Sequence, residues 1–283
     1  MIYTRKGLIV LVVALCWVSM TLNQFREHPF KPFTYHSSNS FTTFQPTVSY
    51  RNSTITSEGE SNVVWLSSAI FSIDTDSDTS SKLLECPQTT PSRYDYLRKS
   101  SPKIKYFFAL NIHEAAPILP RLVGTIIRTI EYLGPENCAL SVVEGYSTDG
   151  TYEILIDIAS KLEASKILYF FQTSDVRPIK EDANRINDLA ELRNEALKPL
   201  TSNPKLYSSE TSIVFINNIA LCPEDILELI HQKALQKADM ACAMDWIYEG
   251  ALFYDVFVSR SMNGDTFFEI PQNGTWDFAG TLF

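Results

Sequence analysis

Apolar and polar positions fall into two kinds of block along the second half of the chain. Continuous apolar runs of strand length, Ile104–Ile112 (IKYFFALNI), Ala139–Val143, Ile167–Phe171 and Ser212–Ile216, predict strands buried on both faces. Between the first two, Ile118, Leu119, Leu122, Val123, Ile126, Ile127, Ile130 and Leu133 recur at the spacing of one helical face. Pro117 and Pro120 suit the first turns of that helix, and Gly134-Pro135 stops it. Helices are also predicted over Thr151–Ala164, with Ser147 or Thr148 as N-cap, over Arg185–Leu200, and over Pro223–Lys237. Ala241–Trp246 and Leu252–Ser259 read as two more strands, the second with the alternation of an antiparallel edge. Alternating strands and helices with short connections predict an α/β fold, a mostly parallel sheet flanked by helices.

The first 102 residues follow a different pattern. Arg5 and Lys6 precede the uncharged apolar run Gly7–Leu22. The positive flank predicts that residues 1–22 are a cytoplasmic tail and signal-anchor helix, with the bulk of the chain lumenal. A cleaved signal peptide is the competing reading, because the run is short for a span. Residues 23–102 are rich in Ser and Thr and predict a flexible stem, in which Val63–Ile73 is an apolar interruption suited to pack back on the domain. Residues 103–283 then form the folded domain.

Composition narrows the function. The chain of 283 residues carries a net charge of −9, which argues against nucleic acid as a partner. Sequons at Asn52 and Asn273 agree with a lumenal placement. Cys86, Cys138, Cys222 and Cys242 lie outside the apolar run and allow two bridges in any of three connectivities. No GxGxxG follows the first strand, and neither a P-loop nor a GxSxG occurs.

The chemistry gathers around Ala139–Leu155 (ALSVVEGYSTDGTYEIL), where a buried strand delivers Glu144 to a polar turn ahead of a helix. Open α/β sheets build ligand crevices at such strand ends. Four stretches stand in a specific order: Ala109-Leu110-Asn111-Ile112-His113-Glu114, Glu144-Gly145-Tyr146-Ser147-Thr148-Asp149-Gly150-Thr151, Arg185-Ile186 with Leu189–Asn194, and Phe215-Ile216-Asn217-Asn218 with Cys222–Leu227. Phe253-Tyr254-Asp255 and Arg260 extend the set. Together they resemble the fungal family of capsule-associated α-1,3-mannosyltransferases, over roughly Lys103 to Asp265.

That resemblance implies a type II Golgi membrane protein with a glycosyltransferase A-type domain, which moves mannose from GDP-mannose to a glycan acceptor with retention. It further implies that Asn111, His113, Glu114 and Ser147 border the sugar nucleotide. Glu144 would accept from the base or ribose, Asp149 would orient the turn, and Arg193 would approach the diphosphate. Asp245, Asp255 and Arg260 become the candidates for contact with the reacting sugar or acceptor. A divalent cation, Mn²⁺ or Mg²⁺, is implied at the end of the fourth strand, where hard oxygen ligands are needed. Asn217 and Asn218 stand there, and the carboxylate of the family pattern is replaced by the Asn218 amide, which adds no negative charge. An A-type domain usually continues further, so the resemblance also implies that the domain over 103–283 is incomplete at its C-terminus. The rival expectation is a catalytically inactive or truncated relative acting as a lumenal binding or complex partner.

Overall fold

The computed structural model describes Val48 and residues 57–72, 86–87, 91–178, 184–243, 246–247 and 252–253. Two compact units divide the chain, residues 42–228 and the remainder. The first contains a four-stranded parallel sheet: β1 (Tyr106–Ile112), β2 (Cys138–Glu144), β3 (Leu168–Thr173) and β4 (Ser212–Ile216), in the order β3-β2-β1-β4. Tyr106 pairs with Cys138 on one side and with Ser212 on the other, so β1 and β2 are enclosed between neighbours. This is why YFFALNI and CALSVVE read as continuous apolar runs: six of the seven β1 residues and all seven of β2 are buried.

The strand order fixes where the helices go. The chain moves outward from β1 to β2 to β3 and then returns past β1 to β4. Right-handed crossovers place the helices of the outward and return moves on opposite faces. The return helix, α5 (Arg185–Ser202), packs on β1 and β2. There Leu192 and Ala196 meet Phe107, Ala109, Ala139, Val143 and Phe170, closed by an edge-on contact of Phe107 with Tyr207 at 5.6 Å. Strand side chains alternate, so Phe108, Leu110, Leu140 and Phe171 turn to the other face. That face meets the outward helices: Tyr152 of α3 (Thr151–Asp157) lies 5.9 Å from the Phe171 ring, and the Tyr169 hydroxyl donates to the Leu155 carbonyl. The helix expected as one piece over Thr151–Ala164 breaks at Ile158 into α3 and α4 (Ala159–Ala164). The long amphipathic helix α2 (Leu119–Leu133) begins after a single 3-10 turn and ends at Gly134, as its prolines and glycine predict.

Part of the stretch read as stem is ordered on this unit. Residues Ser57–Ser72 form α1, which packs on α2 and α3 with Ser67 and Ile70 buried. Ser92–Arg98 form a 3-10 helix that buries Tyr94 and Leu97. The Tyr94 hydroxyl donates to the Glu228 carboxylate, and Arg93 pairs with the same carboxylate at 2.8 Å. A disulfide joins Cys86 to Cys222. It realises one of the bridges open to the sequence. Cys138 and Cys242 are free, Cys138 being buried at the start of β2, where burial pushes its thiol up and keeps it protonated.

Helix α6 (Pro223–Leu235) crosses from one unit into the other. In the second unit, β5 (Trp246–Ile247) and β6 (Leu252–Phe253) pair with each other antiparallel. Of the strand expected over Ala241–Trp246, Ala241–Ala243 are irregular and Trp246 lies in β5, while residues 244–245, and 254–259 of the strand expected over Leu252–Ser259, lie outside the described residues. Residues 1–22, with the expected anchor, lie outside the described residues; among those described, no helix is long and apolar enough to cross a membrane.

The Cys86–Cys222 bridge closes a span of 136 residues, and in the chain-entropy model such a loop is worth about 5 kcal/mol. Cys86→Ser is therefore expected to lower stability by about 2–5 kcal/mol, read as a drop in melting temperature. Reductant should reproduce that drop in the wild type and leave the variant unmoved.

Candidate functional site

The carboxyl ends of the strands carry the candidate residues, and a network of hydrogen bonds fixes them there. The loop after β1 (113–118) and the loop after β2 (145–150) are joined at several points. Gly145 N–H donates to the Ile112 carbonyl at 2.8 Å. A Cβ at Gly145 would lie 3.3 Å from the His113 Cβ, so the close approach of the two loops favours glycine. Ser147 Oγ accepts from Glu114 N–H at 2.9 Å, and the Glu114 carboxylate in return accepts from Thr148 N–H at 2.7 Å. Asp149 spans both loops: one carboxylate oxygen accepts from Ala116 N–H and the other from Thr151 N–H and the Thr151 hydroxyl. Thr151 Oγ1 then accepts from Ala115 N–H.

This arrangement corrects the expected cap. Neither Ser147 nor Thr148 caps α3; the N-cap position is Gly150, at φ +97°, with no side-chain cap of its own. The Asp149 carboxylate takes the Thr151 N–H instead, and Ser147 and Thr148 are turned toward the neighbouring loop. Thr151, expected only as the first residue of the helix, is fully buried and sits at the junction. Its only signal in the chain was a hydroxyl in the first turn of an otherwise apolar helix face.

Glu144 is completely enclosed, and its carboxylate accepts from Ser147 N–H. Val143 belongs to the core beneath α5, so alternation turns Glu144 to the opposite face of the sheet, beside its register partner Ile112. Asn111 follows Ala109 by two and therefore shares the α5 face, as does Phe215 of β4. Arg193 of α5 lies on this side as well, its guanidinium 6.0 Å from the Phe215 ring centre. Arg193 is half-buried, burial pulls its pKa below the usual guanidinium value, and among the described residues no carboxylate pairs with it. The structure thus brings Asn111 and Arg193 to one face of the sheet and sends Glu144 to the other.

β4 ends beside β1, where the direction of strand order reverses. Such a switch point is the usual crevice of an open α/β sheet. Exposed His113 and the exposed pair Asn217-Asn218 stand there, with Asn218 Nδ2 donating to the His113 carbonyl at 3.3 Å. The loop that follows is clamped from α2. The Leu221 carbonyl accepts from the Thr125 hydroxyl at 2.9 Å and from buried Arg121, while Cys222 holds the disulfide. Asp225 accepts from Cys222 N–H at 2.7 Å and closes the start of α6.

Asp245, Asp255 and Arg260, and the sequons at Asn52 and Asn273, lie outside the described residues. Among the described residues, no cluster of His, Cys, Asp and Glu is arranged to hold a metal ion. The Asn217-Asn218 pair offers amide oxygens without a carboxylate, so these residues do not by themselves fit a divalent cation.

Comparison with known proteins gives one family and one curated relative. Residues 105–281 match the family described as Cryptococcal mannosyltransferase 1. The alpha-1,3-mannosyltransferase CMT1 of Cryptococcus neoformans var. neoformans serotype D is 32% identical over 194 residues, covering 65% of this chain and 41% of that protein. The chain therefore spans about two fifths of the relative's length. No solved structure matches.

The inter-loop bonds give a stability test of Asp149. Asp149→Ala leaves three donors without their acceptor and is expected to cost about 2–3 kcal/mol. Asp149→Asn, which keeps one acceptor oxygen, should cost about 1 kcal/mol. Urea denaturation with an unchanged slope reads both; a residue serving ligand contact alone would leave the midpoint in place.

Proposed function

Since the chain belongs to the Cryptococcal mannosyltransferase 1 family, we propose that it is a glycosyltransferase that moves mannose from GDP-mannose to a glycan acceptor, forming an α-1,3 linkage with retention. The observation that carries this reading is the meeting of three family-like segments at the β1–β4 switch point. His113 and the Asn217-Asn218 pair lie at its mouth, and the half-buried cation Arg193 lies on the Asn111 side of the sheet. The domain is read as a glycosyltransferase A-type fold, in keeping with its parallel sheet and strand order.

The chemistry asked of such a site is modest in covalent terms. The bond from the mannose anomeric carbon to the diphosphate oxygen breaks, and the acceptor hydroxyl oxygen bonds to that carbon from the same side. The hydroxyl proton passes to the departing diphosphate. Charge builds on that diphosphate, and a fixed cation in a dry site lowers the barrier because it needs no reorganisation. Arg193 supplies that charge. Its partial burial makes it costly to leave without an anion, and no described acid relieves it. Asn111, His113, Glu114 and Ser147 are read as the donor-side wall. Asp149 is read as its brace, and Glu144 as a support held behind the turn rather than an open contact. Asp245, Asp255 and Arg260 are carried as candidates for the reacting sugar and acceptor; a divalent cation, Mn²⁺ or Mg²⁺, would have to be held chiefly by the donor's own phosphates.

The Cys86–Cys222 disulfide supports an oxidising compartment, and with the N-terminal apolar run it favours a Golgi, type II placement with the domain lumenal. A second reading, a relative that binds the donor without completing transfer, rests on one observation: Asn218 presents an amide where the family pattern has a carboxylate.

The test incubates the full chain with GDP-mannose and mannoside acceptors, with and without Mn²⁺, and follows GDP release and product. Transfer is expected, and Arg193→Gln should reduce kcat/KM about 100-fold with an unchanged melting temperature. Nucleotide binding without GDP release in either condition would select the second reading. In that case Asn218→Asp is expected to restore turnover in the presence of Mn²⁺.

A further inference from the structure

Tyr146 occupies the middle of the turn after β2, with φ +62° and 41% of its surface exposed. A left-handed backbone is unfavourable for a bulky aromatic residue, so the turn holds tyrosine at a conformational cost. The backbone is instead imposed from both sides. Gly145 N–H is bonded to the Ile112 carbonyl, and Ser147 N–H to the Glu144 carboxylate. The facing loop repeats the feature: Glu114 is also left-handed, at φ +48°. Two such residues in adjoining loops at the strand ends place the stored strain at the edge of the crevice.

Arg177, four residues beyond the end of β3, lays its guanidinium 5.2 Å from the Tyr146 ring centre. Arg177 is exposed as well, and among the described residues it forms no ion pair. An aromatic ring and a cation therefore lie against each other in exposed residues, at the carboxyl edge of β2 and β3. Nucleobases stack on both kinds of surface. The gap between the two is too narrow for another ring, so a base must lie on an outer face of the pair.

We propose that Tyr146 and Arg177 form the base-stacking platform of this site, for the purine of a nucleoside diphosphate. The inference rests on the transferase reading above and adds to it the residues that hold the base. Neighbouring strands lie about 4.8 Å apart, and in the order β3-β2-β1-β4 the β2–β3 edge is two to three spacings from the end of β4. A span of about 10–14 Å is the reach of an extended nucleoside diphosphate. Its diphosphate then lies toward β4 and Arg193, and its base over Tyr146. A purine offers the larger stacking face and is the better fit for an open platform.

The experiment titrates the full chain with GDP, UDP and inorganic pyrophosphate by calorimetry. Tyr146→Asn is the chosen variant because asparagine tolerates a left-handed backbone. It is expected to weaken GDP about tenfold or more, to leave pyrophosphate unchanged and to keep the melting temperature. Tyr146→Phe should retain GDP binding, and Arg177→Ala, an exposed change that does not endanger the fold, should weaken GDP severalfold while sparing pyrophosphate. UDP should bind more weakly than GDP in the wild type and lose less in Tyr146→Asn. Wild-type GDP affinity in both Tyr146→Asn and Arg177→Ala would overturn the platform and leave the transferase reading standing. Equal losses of GDP and pyrophosphate would also overturn it, showing that Tyr146 shapes the turn only. A wild-type chain that binds none of the three ligands would overturn both readings.

Discussion

The hydrogen bonds between the loops after β1 and β2 are the constraint on which the candidate site depends. Loops at strand ends ordinarily give up order for exposure. Here Ser147, Asp149 and Thr151 satisfy the backbone N–H groups of Glu114, Ala115 and Ala116, and Glu114 answers with its carboxylate to Thr148. Each loop supplies the partners of the other, so neither can rearrange alone. Two non-glycine residues, Glu114 and Tyr146, are held in left-handed conformations as a result. Such rigidity suits a site that must present fixed dipoles to a charged ligand, since an ordered polar wall loses nothing to reorganisation.

The parity of a β-strand then sorts the polar residues by face. Glu144 and Val143 are neighbours in sequence, yet only Val143 faces α5. The acid is consequently enclosed behind its own turn, while Asn111 and Arg193 share the opposite side of the sheet. Arg193 keeps its charge despite partial burial, because a guanidinium is not deprotonated in proteins. A half-buried cation with no described counter-ion is an electrostatic demand for an anion, and the switch point beside β4 is where the topology leaves room for one.

Order on the β4 side comes from elements distant in sequence. The segment from Asn217 to Cys222 would be an ordinary loop were its far end not clamped to α2 through Thr125 and Arg121 and bonded covalently to Cys86. The Arg93–Tyr94–Glu228 contacts place a second tie between the same upstream segment and the start of α6. A stretch that composition assigns to a stem thus becomes part of the scaffold behind the site. The apolar interruption Val63–Ile73 marked where the chain returns to the domain, and α1 buries Ile70 there.

The sequence by itself determined the elements. Its apolar runs identified all four strands of the parallel sheet, its helical spacing identified α2, α5 and α6, and prolines and Gly134 marked the ends of α2, because period and turn chemistry are local properties. It also fixed the order of segments that carries the family, and the amide at Asn218. The tertiary structure decided what local pattern cannot encode. Which way Glu144 points depends on register, which cysteine meets Cys86 depends on where α6 lies, and whether Asp149 braces one loop or two depends on β1 and β2 being adjacent. The contact of Tyr146 with Arg177 arises from a turn and a strand end that only the folded sheet brings together. These are contacts between residues far apart in the chain, and their geometry exists only once the sheet has formed.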